Sequence, residues 1–251
     1  MSFRPIYAKP YVPRGVKASD LAAHPLKDVS HTPGQAAAIR FFDPHSEADL
    51  AAMREILKGK QVKRFMDDAR QLSKTEYREW AGTATNTSFL FAVLDARVTD
   101  PKEMEYVRGF VYLYSEREEK FRVKRMEKQG FLAPATGERY VLEVSFAVRP
   151  LRYGVQSGSG LMSSALRQSC LQVKTLLDSP DRPEVQIFAF VEQGNTNAYR
   201  TLEASGFVWR GRMKYDADSP EEAELYFLNW RLLQKKVRER LIETLKQNEQ
   251  P

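Results

Sequence analysis

The chain has 251 residues, of which 42% are hydrophobic and 29% charged, a balance that suits a folded globular protein and argues against wholesale disorder or a fibrous repeat. It contains no run of about 18 apolar residues, which excludes a membrane-spanning helix, and its formal net charge of +6 suits anionic partners, a phosphate-bearing cofactor or a nucleic acid, without choosing between them.

The first residues, MSFRPIYAKP, have no continuous apolar stretch, so a secretory signal is not expected. Pro5, Pro10, Pro13, Pro25 and Pro33 interrupt a stretch without periodicity, which predicts an extended arm over residues 1–36. His24, His31 and His45 are scattered with no carboxylate cluster beside them, and no metal site is expected. A short strand is predicted over Ala38–Phe42. Ser46 stands three residues before Asp49 as a capping-box-like helix start, with Leu50, Met53 and Leu57 at helical spacing and Gly59 as the stop. A second helix is expected over Lys74–Trp80. Ser88–Arg97 and Tyr106–Ser115 read as an antiparallel strand pair.

Glu116–Lys128 is dense in charge. It reads either as a solvated face, helical or part of a hairpin, or as a basic element contacting substrate or RNA. Tyr140–Val148 (YVLEVSFAV) is a strand and Leu161–Leu177 a helix with Leu166, Cys170, Val173 and Leu177 on one face. Cys170 is the single cysteine. It can form no internal disulfide or cysteine-rich zinc site, it fits the core, and a reducing cytoplasm is the expected location. Val185–Val191 is a strand and Asn197–Ala204 a short helix closed by Gly206. Phe207–Tyr215 and Ala223–Trp230 are strands. A final helix over residues 231–251 carries Leu233, Val237, Leu241 and Leu245 on one stripe, to be covered by the body or by a second copy of the chain.

Chemistry concentrates between Tyr140 and Phe207. After the strand ending at Val148 come Gly154, Gly158 and Gly160, then a helix. Glycines before a helix let backbone N–H groups converge where the helix dipole also favours an anion, a pyrophosphate cradle. No Lys-Ser/Thr pair follows the glycines, so this is not a Walker loop, and no acidic residue ends a second parallel strand as a Rossmann fingerprint requires. Further on stands Asn195-Thr-Asn-Ala198-Tyr199-Arg200-Thr-Leu202-Glu203-Ala-Ser-Gly206-Phe207.

That second motif resembles a signature of the GNAT superfamily of N-acetyltransferases: Asn, two residues, Ala or Ser, four residues, Glu, two residues, Gly-Phe. The upstream strand, Arg149-Pro150, glycine-rich loop and helix also resemble it, over a region of about residues 37–230 that is read as one domain. The loop is longer than the family's usual one. Many members carry a tyrosine just before the Glu. Here Leu202 stands there, similar to the branch that acetylates ribosomal-protein N-termini and polyamines.

The resemblance implies an α/β fold, with a mixed, mostly antiparallel sheet of six or seven strands flanked by helices. It also implies acetyl-CoA as cosubstrate and direct attack by a primary amine (a protein N-terminus, a lysine or a small amine). It implies that the strand at Phe146, Ala147 and Val148 splays from its neighbour and pairs with the pantetheine amides. Val155, Gln156, Ser157, Gly158, Ser159, Gly160 and Leu161 would then hold the pyrophosphate, while Asn195 and Tyr199 line the pantetheine.

Glu143 is the acidic side chain inside the Tyr140–Val148 strand. Period two puts it with Ser145 and Ala147 on one face. Apolar surroundings would raise its pKa, which suits a base. A structural hydrogen bond or ion pair is the competing role. Against the enzyme reading stand a non-catalytic CoA-binding module and, less favoured, an RNA- or ribosome-binding protein, for which aromatic-interleaved basic motifs are absent.

Overall fold

The computed structural model describes residues 36–59, 73–96, 107–115, 120–133, 139–149, 160–177, 184–215 and 221–248. Apart from Ala36, the predicted N-terminal arm lies outside them. In chain order the elements are β1 (Ala37–Phe41), α1 (Glu47–Leu57), α2 (Lys74–Thr87), β2 (Phe89–Asp95), β3 (Gly109–Ser115), α3 (Lys120–Lys128) and β4 (Arg139–Val148). They continue with α4 (Leu161–Leu177), β5 (Glu184–Val191), α5 (Thr196–Ala204), β6 (Phe207–Lys214), β7 (Glu222–Leu228) and α6 (Trp230–Asn248).

The strands form a 7-stranded sheet in the order β1-β2-β3-β4-β5-β7-β6. Every neighbouring pair is antiparallel except β4 with β5, which are parallel and joined through α4. This is the predicted α/β fold with a mostly antiparallel sheet. No described helix is long and apolar enough to cross a membrane.

Strand alternation sorts the core into two layers. On the first face Ile39, Phe91, Val111, Leu142, Val144, Ile187 and Ala189 meet α4, with Leu202 of α5 and Leu233 of α6. On the second face Ala38, Leu90, Ala92 and Tyr112 meet Leu50, Met53 and Ile56 of α1 and Tyr77 of α2. Farther along that face Phe188, Leu225 and Phe227 meet Met126 of α3 and Leu132.

Local sequence explains the start of α1. The Ser46 side chain accepts from the Asp49 N–H, as the capping pattern predicts, and Asp49 also accepts both Arg40 guanidinium nitrogens. α2 runs past the predicted stop at Trp80, through Gly82 and three threonines of poor helix propensity. Burial of Tyr77 and Ala81 against the sheet supplies what propensity does not. Helix α4 is buried nearly all round from Leu161 to Cys170, beyond its apolar stripe. Three of its buried polar side chains bond backbone: Ser164 accepts from the Ala37 N–H, Gln168 donates to the Ala37 carbonyl, and Arg167 donates to the Ala204 carbonyl. Cys170 is fully buried, and burial pushes its thiol pKa well up, so it is core and not nucleophile.

The stripe of α6 divides. Leu233 is fully buried, whereas Leu241 and Leu245 are 37% and 53% exposed, so among the described residues the cover extends over the first turns of the helix. Gly206, at φ +95°, joins α5 to β6 where an added Cβ would lie 2.8 Å from the Leu233 nitrogen. Only glycine allows that approach.

Leu202 occupies the position where the resemblance offers a tyrosine, and it is fully buried in the first-face core. Leu202→Ala is expected to lower unfolding free energy by about 2–5 kcal/mol, measured by urea denaturation. A loss below about 1 kcal/mol would contradict its core role.

Candidate acyl-transfer site

The site begins where β4 and β5 part. Their parallel pairing runs from Arg139↔Glu184 to Glu143↔Phe188, and among the described residues no pair follows. Beyond it Val144–Val148 remain bonded to β3 and Ala189–Val191 to β7. Each strand therefore presents one unpaired backbone edge to a wedge that opens toward the carboxyl ends of both strands. Unpaired N–H and C=O groups there must find water or a ligand. Carboxyl ends of parallel strands are also where open α/β sheets receive ligands.

Two helix starts flank the open end. α4 begins after Gly160, which adopts φ +66°, and the Gly160 carbonyl accepts from the Ser164 N–H and the Ser163 hydroxyl. The preceding N–H groups of that first turn have no carbonyl within the helix to bond, and the dipole favours an anion beside them. Leu161 is buried beneath this turn. The predicted contacts Val155, Gln156, Ser157, Gly158 and Ser159 lie outside the described residues.

α5 begins at the other side. The Asn195 side chain accepts from the Ala198 N–H at 3.2 Å as an N-cap. The Tyr199 hydroxyl donates to the Glu192 carbonyl at 2.9 Å and accepts from the Gly194 N–H at 3.1 Å. Its ring stacks on Tyr226 with centroids 5.9 Å apart. Both residues thus shape the turn from β5 into α5. Phe146 and Ala147 lie on the separated part of β4, Phe146 packing on the first face and Ala147 on the second, while Val148 is 38% exposed at its end.

Glu143 stands at the apex, on the second face, in the last residue pair before the wedge. It is buried, and its Oε2 accepts from Arg122 Nη1 at 2.9 Å. Tyr114, its cross-strand partner on β3, and Tyr215, just after β6, face the same carboxylate. The Arg122 guanidinium lies 3.8 Å from the Tyr215 ring centroid and 5.9 Å from that of Phe190.

Burial pushes the Glu143 pKa up, and the Arg122 charge and the hydrogen bonds pull against it. Burial and the Glu143 charge hold both tyrosines' pKa values well above their usual range, so both hydroxyls stay neutral. The expectation of a buried, pKa-raised Glu143 agrees with this geometry, and so does the competing ion pair: the carboxylate has both features at once.

Arg122, Tyr114 and Tyr215 escape sequence reading. The one usable signal was that a carboxylate inside an apolar strand needs a counter-charge. The Glu116–Lys128 run offered several cations with nothing to choose among them. In the structure that run includes α3, whose Arg122 and Met126 turn inward while Lys124 and Lys128 face solvent.

No family model and no curated protein matches the sequence. Solved structures do match. An uncharacterised protein from Bacillus halodurans is 12% identical, with 86% of this chain and 97% of that one aligned at a TM-score of 0.59. A GNAT-family acetyltransferase from Bacillus anthracis is 14% identical over 77% of this chain and 95% of that one, at a TM-score of 0.52. Aminoglycoside acetyltransferase AAC(6')-Ib, solved with coenzyme A and kanamycin, is 14% identical over 79% and 98%, at a TM-score of 0.51. The chain has the fold of the GNAT acetyltransferases.

Asn195→Ala is expected to cost about 0.5–2 kcal/mol of stability through loss of the α5 cap. Thermal or urea unfolding checks it; an unchanged midpoint would mean the cap contributes nothing.

Proposed function

We propose that the chain is an acetyl-CoA-dependent N-acetyltransferase that acetylates a primary amine by direct transfer. The observation that carries this reading is the wedge between β4 and β5, with the starts of α4 and α5 at its open end and a buried carboxylate at its apex. The likeness to GNAT acetyltransferases supports it, one of them solved with acetyl-CoA. The Asn195–Phe207 motif supports it independently. Leu202 within that motif favours an acceptor of the kind handled by the ribosomal-protein N-terminal and polyamine branch.

In this reading the pantetheine lies in the wedge and takes the place of the missing strand pairing. Its amides bond the free backbone edge at Phe146–Val148, beside the turn shaped by Asn195 and Tyr199. The pyrophosphate meets the N–H groups of the loop at Val155–Gly160 and the start of α4 at Leu161. The acceptor arrives as an ammonium, which is no nucleophile, and Glu143 takes one proton from it, directly or through a water. The amine nitrogen then attacks the thioester carbonyl carbon. A backbone N–H near Phe146–Val148 holds the oxyanion. The carbon–sulfur bond breaks, the sulfur leaves with the second proton from nitrogen, and Glu143 returns its proton to water. The products are the acetylated amine and free CoA thiol.

The tight enclosure of Glu143 by Arg122 and two tyrosines favours one rival, a CoA-binding module without turnover. Turnover with a panel of amines at saturating acetyl-CoA separates the two. Glu143→Gln is expected to reduce the rate by about 10²–10⁴-fold with CoA binding retained, and the residual rate should climb with pH as more amine is already neutral. Parallel profiles within about threefold of wild type would remove Glu143 as base. Gly160→Val, at a positive φ that valine resists, is expected to weaken CoA binding at least about tenfold, roughly 1.4 kcal/mol, by calorimetry. Unchanged binding would move the pyrophosphate site elsewhere.

A further inference from the structure

The reading of Glu143 as base leaves open why the chain inserts a charge-dense helix between β3 and β4. We propose that Arg122, delivered by α3, is a positioning residue for the Glu143 carboxylate, which makes α3 part of the amine-activating machinery. The inference rests on the proposed acetyl-transfer reading and extends it to a residue that no motif singles out.

Three observations carry it. The guanidinium and the carboxylate are in direct contact at 2.9 Å, with side-chain exposures of 15% and 5%. The guanidinium is itself immobilised over the Tyr215 ring, with Phe190 beyond. Phe190 makes an edge contact with Tyr215 at 5.3 Å, so the two rings brace each other. Finally, the contact falls on the last residue pair before β4 and β5 separate, the position nearest the wedge that is still held by the sheet.

The chemistry asks for such a partner. Beside Phe188, Val141 and the tyrosines alone, burial would push the carboxylate toward its protonated form, which can accept no proton. Arg122 stabilises the ionised form, and burial opposes it. Their balance sets the pH above which Glu143 is a base. Among the described residues, the groups facing the carboxylate are Tyr114 from β3, Arg122 from α3 and Tyr215 after β6. The tyrosines stay neutral, so Arg122 is the member of this set whose charge moves the balance. The β5 side contributes Phe188 and Phe190, which carry no charge.

The sign follows. Removing the Arg122 charge raises the pH at which Glu143 ionises, so the acid limb of kcat/KM moves to higher pH. The test compares wild type, Arg122→Met, Arg122→Gln and Arg122→Lys, each checked for folding by thermal melting. The two neutral variants are expected to shift the acid limb upward by at least about one pH unit, and Arg122→Lys to restore much of it. A merely structural arginine would lower the rate at all pH values without moving the limb.

The Glu143 side-chain carboxyl, followed by carbon-13 NMR and assigned by its loss in Glu143→Gln, is expected to titrate higher in the same two variants. An unmoved NMR titration in a folded neutral variant overturns the proposal. That readout needs no turnover, so it decides the role of Arg122 even if Glu143→Gln keeps its rate and the base reading falls.

Discussion

A carboxylate buried in a sheet cannot stand alone. Glu143 sits on β4 between the two clusters of the second face, and desolvating its charge would cost far more than one hydrogen bond returns. The chain meets that constraint with groups from three places far apart in sequence: Tyr114 on β3, Arg122 on α3 and Tyr215 after β6. Satisfying one side chain thereby docks the inserted helix and ties the far end of the sheet to its middle. Breaking one member would leave the others desolvated and under-bonded, so the group behaves as a unit.

The same place in the sheet is where β4 and β5 stop pairing. Past Glu143 these two strands no longer pair with each other, while each stays bonded on its other side. First-face packing makes that arrangement durable. α4 bonds β1 through Ser164 and Gln168 and α5 through Arg167, which holds the helix start at the mouth of the wedge relative to both.

Much of this was legible in the sequence. Alternation in YVLEVSFAV and VQIFAFV marked the two strands that form the wedge, and the Asn195–Phe207 spacing marked the helix beside it. Ser46 and Asp49 announced their own cap, and the stripe through Leu166, Cys170, Val173 and Leu177 announced the core face of α4. These signals are local: each depends on residues within a few turns or one strand length, where backbone geometry fixes which side chains share a face. Even Glu143 could be singled out, because a charge in an apolar strand is conspicuous.

Its partners could not be, and neither could the extra turns of α2 nor the burial of Ser164, Gln168 and Arg167. Each depends on which distant element lands opposite, and spacing along the chain carries no record of that. Arg122 looks like its neighbours Lys124 and Lys128 until α3 is laid across β5 and β7, where one face of the helix is desolvated and the other is not. The sequence by itself determined the elements, their faces, the carboxylate and the glycine-marked helix start. Tertiary structure alone decided the cation that answers the carboxylate and how much of α6 the described residues cover, because these arise from packing between segments and not from the pattern within any of them.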